Sequence, residues 1–122
     1  MPPPRTIARR KPSTRRSHSR YSAAKLDALI EEAIVDAYGD EEQRGGLFTM
    51  LEEHLALPFE TVVLGLPVTV EKVDLTTAGE IVAICRRGRA RQAIPILELP
   101  LPDPPPEGNE WIEAFRRWAR GR

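Results

Sequence analysis

A chain of 122 residues, 41% of them hydrophobic, can build one modest core but is too short for two well-buried domains. No apolar run approaches the roughly 20 residues that span a bilayer, and no apolar segment follows the N-terminal arginines as a secretory signal would require. We therefore expect a single cytoplasmic domain with no membrane partner.

The formal net charge of zero conceals an uneven distribution. Residues 1–20 hold seven basic residues and no acid, whereas residues 21–122 hold the other 11 bases and all 18 acids, a net charge of −7. Because residues 1–20 are mainly proline, arginine, serine and threonine, they cannot bury enough apolar surface to offset the entropy of ordering. We predict a disordered basic tail over residues 1–20, able to contact polyanions, and one folded domain over residues 21–122.

The first predicted helix begins after Ser22, which is a good N-cap. Apolar residues recur at helical spacing from Leu26 to Ile34. The helix is predicted to reach about Tyr38, with Gly39 as its C-cap.

A second helix is predicted to begin at Asp40, because Gln43 three residues later would complete a capping box. The adjacent Gly45 and Gly46 would weaken this helix. We expect one short turn followed by a firmer segment over residues 47–57.

From residue 59 the pattern changes to the alternation that is typical of strands. The predicted strands cover residues 61–64, 68–73, 80–86 and 93–99. They form an antiparallel meander of four or five strands, either open or curled into a small barrel. After a proline-rich connector over residues 100–106, a last helix over residues 109–120 presents one apolar face, formed by Trp111, Ile112, Phe115 and Trp118. The order of elements predicts an α+β fold.

Nine acidic residues lie between Asp27 and Glu53, where Arg44 is the single opposing base. The acids are Asp27, Glu31, Glu32, Asp36, Asp40, Glu41, Glu42, Glu52 and Glu53. Carboxylates crowded around a helix junction repel one another unless water, an arginine or a cation compensates. Oxygen ligands without a nearby histidine or thiol suit Ca²⁺ or Mg²⁺. The alternative is a solvated face, since acids at a helix start also favour its dipole.

The regular calcium loop of helix–loop–helix proteins is absent from this region. Its twelfth position should carry glutamate, but that position is Leu47 when counted from Asp36 and Leu51 when counted from Asp40. Any calcium site must therefore be irregular.

Several segments together resemble one known family, the small calcium-binding proteins first known from cyanobacteria (the CcbP family). The segments are residues 36–43 (DAYGDEEQ), 48–53 (FTMLEE), 57–59 (LPF), 64–65 (LG), 68–74 (VTVEKVD), 81–85 (IVAIC) and 111–115 (WIEAF). The resemblance covers about residues 26–119. It implies N-terminal helices, a small β-barrel, and calcium held by surface carboxylates without a helix–loop–helix hand.

The resemblance places the principal site at or near residues 36–40. The candidate ligands, in decreasing order, are Asp36, Asp40, Glu41, Glu42 and Glu53. Each has a rival role, with Asp40 as a helix cap and Asp36 or Glu53 as a solvated surface acid. A second, weaker site is also plausible, for which Glu71 and Asp74 are the candidates.

The predicted function is that of a non-enzymatic intracellular calcium buffer or sensor. The alternative is a nucleic-acid-binding module in which the basic tail and residues 86–91 (RRGRAR) contact phosphates, although no interleaved aromatic is present there to stack a base. Catalysis has little support, because His54 follows Glu53 on a helix and no phosphate-binding glycine loop is present. Cys85 lies in an apolar strand and is predicted to be a buried core thiol.

Overall fold

The computed structural model describes residues 20–121, so the predicted tail lies outside the described residues except for Arg20. The elements in chain order are α1 (Ala23–Ala33), α2 (Gly39–His54), β1 (Phe59–Val63), β2 (Leu66–Leu75), β3 (Ile81–Arg87), β4 (Ala90–Pro95) and α3 (Glu110–Arg120). A single turn of 3-10 helix, Ile96–Glu98, follows β4. This arrangement confirms the predicted α+β class, with two helices before the sheet and one after it.

The first helix begins as predicted but ends earlier. The hydroxyl of Ser22 accepts a hydrogen bond from the backbone N–H of Lys25 at 3.1 Å, which caps the start of α1. The helix stops at Ala33 because the chain then turns, and Asp36 adopts a positive φ of 62°. Gly39 is the first residue of α2, so its predicted role as the C-cap of α1 is wrong.

The predicted capping box at the start of α2 is also wrong. The N-cap is Tyr38, and Asp40 lies inside the first turn. The carboxylate of Glu42 accepts from the backbone N–H of Tyr38 at 2.8 Å. Gln43 accepts instead from the indole N–H of Trp118 at 2.9 Å, which ties α2 to α3.

The two glycines inside α2 do not interrupt it, because the helix is continuous through both. A Cβ at Gly46 would overlap the backbone carbonyl of Ala33, whereas a Cβ at Gly45 would meet open space. Gly46 is therefore the point at which the end of α1 packs directly on the backbone of α2.

The four strands form an open antiparallel sheet in the order β1-β2-β3-β4. Among the described residues β1 and β4 are both edges and do not pair, so the sheet is not the closed barrel that was one of the predicted alternatives. The last strand also lies earlier than predicted, since the chain leaves the sheet at Pro95. A bulge interrupts the β2–β3 register between Val70 and Lys72, and Val70 and Val73 are both buried.

The two ends of the sheet differ in the turns that they carry. The β1–β2 turn at Leu64 and Gly65 and the β3–β4 turn at Gly88 and Arg89 lie at one end, which we call the hairpin end. The β2–β3 turn of residues 76–80 lies at the other end. Arg44 of α2 lines the same shallow cleft as that turn, so the first half of α2 lies towards the end of the sheet opposite the hairpin end.

The core lies between the three helices and one face of the sheet. The apolar face predicted for the last helix is confirmed, since α3 buries Trp111, Ile112, Ala114, Phe115 and Trp118. Leu47 and Leu51 of α2 are fully buried. Cys85 of β3 is a buried free thiol, and burial raises the pKa of that thiol, as expected for a residue that packs rather than reacts.

Candidate metal centre

Four of the predicted ligands lie together where α1 gives way to α2. Asp36 lies in the loop of residues 34–38, and Asp40, Glu41 and Glu42 lie in the first turn of α2. All four side chains are exposed. We call these four residues the acidic junction.

The loop part of the junction has an unusual backbone. Asp36 has a φ of 62°, a conformation that aspartate and asparagine adopt more readily than other non-glycine residues. Asp36 is the third residue of the turn of residues 34–37, which is closed by the N–H of Ala37 donating to the carbonyl of Ile34 at 2.9 Å. An aspartate at this position therefore serves the turn as well as supplying a carboxylate.

The helical part of the junction is placed where the helix dipole favours negative charge. The first turn of α2 contains Asp40, Glu41 and Glu42, beside the unpaired N–H groups of the helix start. Consecutive helical residues do not face one another, so these three carboxylates point in different directions. The bond from Tyr38 to Glu42 turns one of them back towards the loop.

The structure does not bring Glu53 to this junction. Glu53 lies near the opposite end of α2, about 20 Å from Asp40 at 1.5 Å per residue along the helix. Its carboxylate lies 3.9 Å from Nε2 of His54. His54 itself stacks on Trp111 with ring centroids 5.5 Å apart, at the edge of the core.

Two further acids are already engaged by arginines. The guanidinium of Arg117 in α3 bonds Asp27 in α1 at 2.7 Å and holds the pKa of that carboxyl below its ordinary range. Glu71 in β2 bonds Arg91 at 2.9 Å and also Arg86, and these two arginines lower the pKa of Glu71. A weaker calcium site at Glu71 would have to displace both arginines.

The donor set at the acidic junction fits a hard cation by its chemistry, since it consists of carboxylates with no thiol or imidazole among them. Within residues 20–121, however, no three histidine, cysteine, aspartate or glutamate side chains lie close enough together to hold a metal ion. The carboxylates would therefore have to move towards one another to share one ion. Exposed side chains on a loop and a first helical turn can do so at little packing cost.

Sequence reasoning missed the apolar residues of this region. Val35 is 70% exposed and Tyr38 is 80% exposed, on either side of Asp36. The sequence does contain one indication of this exposure, because Val35 is apolar and yet lies off the apolar stripe that runs from Leu26 to Ile34.

The basic hairpin that carried the alternative prediction is partly neutralised. Arg86 and Arg91 are both bonded to Glu71, and Arg87 donates to the carbonyl of Pro67 at 3.1 Å. No comparison with known proteins supports nucleic-acid binding. In the described part of the chain no helix is long and apolar enough to cross a membrane.

The fold and the junction define a class of protein: a small α+β domain with a group of exposed carboxylates between its first two helices, suited to a hard divalent cation. The family model of the CcbP-type calcium-binding proteins, described as calcium binding, matches residues 27–119. The chain belongs to this family, as its resemblance predicted. No curated protein and no solved structure matches it.

Proposed function

We propose that the protein is a non-enzymatic, cytoplasmic calcium-binding protein that acts as a buffer or sensor. The observation that carries the proposal is that the acidic junction lies within the matched range of a calcium-binding family. Asp36, Asp40, Glu41 and Glu42 would hold the ion, with water or backbone carbonyls completing the six to eight oxygens that Ca²⁺ takes.

The junction residues would act mainly through charge. Four exposed carboxylates near one another repel, and a divalent cation relieves that repulsion. Because the end of α1 packs on α2 at Gly46, the loop of residues 34–38 is held between two fixed helix ends. An ion that bridges the loop and the first turn of α2 would therefore stabilise the contact between the two helices.

The first test is a calorimetric titration with Ca²⁺ and then Mg²⁺, with the melting temperature measured in parallel. At a hundredfold excess over Kd, a ligand that binds only the folded state stabilises it by about 2.7 kcal/mol, which corresponds to roughly 10 °C in this size range. Mg²⁺ should give a smaller shift because it requires a stricter octahedral arrangement. Absence of any shift with Ca²⁺ at low salt would contradict the proposal.

Variants then locate the ion. Asp36→Asn keeps a residue that tolerates the positive φ, and Asp40→Asn keeps the shape of the side chain, so both should fold while losing most calcium affinity. Glu52→Gln is the matched control, because it removes one exposed carboxylate from the far end of the same helix. Equal losses in all three variants would indicate a diffuse electrostatic effect rather than a site.

Glu53→Gln decides the remaining candidate. If Glu53 ligates the junction ion, its affinity falls as in Asp36→Asn. If the distance along α2 is maintained in solution, Glu53→Gln behaves like Glu52→Gln.

Buffer and sensor differ in what happens to Val35 and Tyr38. A sensor would change their exposure when the loop closes on an ion, and a buffer would not. Fluorescence of a hydrophobic dye, measured with and without Ca²⁺ in the wild-type chain and in Val35→Asn, separates the two roles.

A further inference from the structure

The hairpin end of the sheet carries an apolar tip that the core does not use. Large hydrophobic side chains that are exposed occur at five positions in residues 20–121, and three of these lie in the β1–β2 hairpin: Val62 at 54%, Leu64 at 96% and Leu66 at 48% exposure. The run from residue 62 to residue 68 (VVLGLPV) contains no charged or hydrogen-bonding side chain. Single exposed leucines are ordinary, but a continuous apolar tip indicates an interaction site.

Leu64 is also in a conformation that disfavours it. Val63 pairs with Leu66, so Leu64 and Gly65 form a two-residue turn, with φ values of 52° and 80°. Turns with two positive φ values prefer asparagine followed by glycine, and leucine is strained at the first position. Leu64 therefore combines a strained backbone conformation with a side chain that is almost fully exposed. Residues that break the usual sequence preferences in this way are found at functional sites.

Arginines lie beside this tip, on the β3–β4 side of the sheet. The neighbouring β3–β4 turn carries Arg87 and Arg89, both exposed, and neither forms an ion pair with a carboxylate within residues 20–121. Arg86 and Arg91 lie beside them and share Glu71. With Glu60 as the other nearby acid, the hairpin end has an excess of positive charge on a domain that is otherwise strongly acidic.

We propose that the hairpin end docks on an anionic lipid bilayer. Leu64, with Val62 and Leu66, would enter the boundary between headgroups and acyl chains, and Arg87 and Arg89 would contact lipid phosphates. Apolar residues flanked by bases are the combination that holds proteins about 5–10 Å deep in this boundary. This proposal revises the expectation of no membrane partner. That expectation rested on the absence of a spanning segment, and a protein without such a segment can still dock on a membrane surface.

The rest of the charge distribution fits this orientation. The acidic junction lies at the start of α2 and in the loop before it, towards the other end of the sheet, because Arg44 one turn after Asp40 reaches the turn of residues 76–80. An anionic surface would attract the hairpin end and repel the junction. A nucleic acid would use the arginines but leave the apolar tip in water, and the hairpin end carries no aromatic side chain on which a base could stack.

The test is co-sedimentation of the full chain with vesicles of phosphatidylcholine alone or with about a third phosphatidylserine, in calcium and in EDTA. Leu64→Asn should weaken binding to the anionic vesicles at least about tenfold. Asparagine suits the turn, so the melting temperature of this variant should hold or rise. Arg89→Gln should weaken binding about fivefold, and only on anionic vesicles.

Matched controls separate the hairpin end from general effects. Val35→Asn, compared with the wild type in EDTA so that no calcium response of residues 34–38 takes part, removes another exposed apolar side chain. Lys72→Gln removes an exposed charge from the middle of β2, and neither variant should change vesicle binding. Because every variant keeps residues 1–20, the basic tail contributes equally to all of them. Binding is expected in EDTA as well, so a failure here is distinct from a failure of the calcium proposal.

Three results would overturn the proposal. One is vesicle binding that is the same for the wild type and Leu64→Asn. Another is binding that depends on Arg89 but not Leu64 and is stronger for duplex DNA than for vesicles, which would indicate a nucleic acid. The third is a dimer in size-exclusion chromatography that Leu64→Asn dissolves while vesicles bind neither form, which would indicate a second copy of the chain.

Discussion

At the scale of single residues, Glu71 has the most closely defined surroundings. Arg91 of β4 and Arg86 of β3 converge on its carboxylate, and their hydrogen bonds hold the pKa of Glu71 below its ordinary range. A group whose pKa is lowered by folding stabilises the protein above its unfolded pKa, and this contribution disappears as the pH falls through the folded pKa.

Glu71→Gln should therefore lower the melting temperature at pH 7, where it also leaves two neighbouring arginines without a counter-charge. The difference from the wild type should shrink as the pH falls below about 4.3, the ordinary glutamate pKa. Thermal unfolding at a series of pH values measures this. Glu60→Gln, an exposed glutamate on β1, is the control; a difference for Glu71→Gln that persists unchanged at pH 3 would contradict the electrostatic explanation.

The role of a single residue could be predicted where its hydrogen-bond partner is close in sequence. Ser22 caps a backbone N–H three residues away, and that pattern is visible in the chain itself. Gln43 was assigned to a capping box because its actual partner, the indole of Trp118, is 75 residues away. The candidate ligands could be predicted as one group where they are neighbours along the chain, as Asp36, Asp40, Glu41 and Glu42 are. The distance of Glu53 from this group could not be predicted, because it depends on α2 continuing unbroken to His54.

At the scale of elements, the contact between α1 and α2 depends on one of two adjacent glycines. Alanine normally stabilises a helix interior by roughly 1 kcal/mol relative to glycine. At Gly46 the added methyl group would overlap the carbonyl of Ala33, whereas at Gly45 it would meet open space.

The prediction is that Gly45→Ala raises the free energy of unfolding by about 0.5–1 kcal/mol, whereas Gly46→Ala lowers it by about 1–3 kcal/mol. Chemical denaturation of both variants measures the difference. If both substitutions stabilise the protein, the two helices do not approach as closely as the structure indicates. Calcium affinity should also fall in Gly46→Ala if the junction depends on this packing.

The type and order of the elements were predictable because hydrophobic periodicity is local. The end of α1 could not be predicted, because the pattern of hydrophobic residues does not indicate a positive φ at a non-glycine residue such as Asp36. The choice between an open sheet and a barrel depends on whether β1 meets β4, which no local signal decides.

At the scale of the whole molecule, charge is separated along the chain and across the fold. Tyr21, the second residue that the structure describes, ties the start of this region to α3, since its hydroxyl donates to the side chain of Asn109 at 2.8 Å. The family match begins at residue 27. Residues 1–20 therefore lie outside the range that the family model matches.

Removing residues 1–20 should leave the melting temperature and its response to Ca²⁺ unchanged. Binding to anionic vesicles should weaken, because the seven bases of residues 1–20 add to the attraction, but the effect of Leu64→Asn should persist. Circular dichroism and the same sedimentation assay measure both. Unfolding of the truncated chain would contradict the predicted domain boundary.

The bulge at Glu71 has a consequence for how this family can vary in length. Side chains alternate between the two faces of a strand, and the extra residue lets Val70 and Val73, three positions apart, both face the core. Deleting this one residue would leave Val70, Lys72 and Val73 in regular alternation against Cys85, Ile84 and Ala83, so both valines would still face the core. Only the carboxylate that Arg86 and Arg91 share would be lost. Loss of one residue from the proline-rich connector of residues 100–106 would only shorten the connection between the sheet and α3. Relatives should therefore tolerate one-residue gaps in the connector and at the bulge, because neither changes which side chains of β2 face the core.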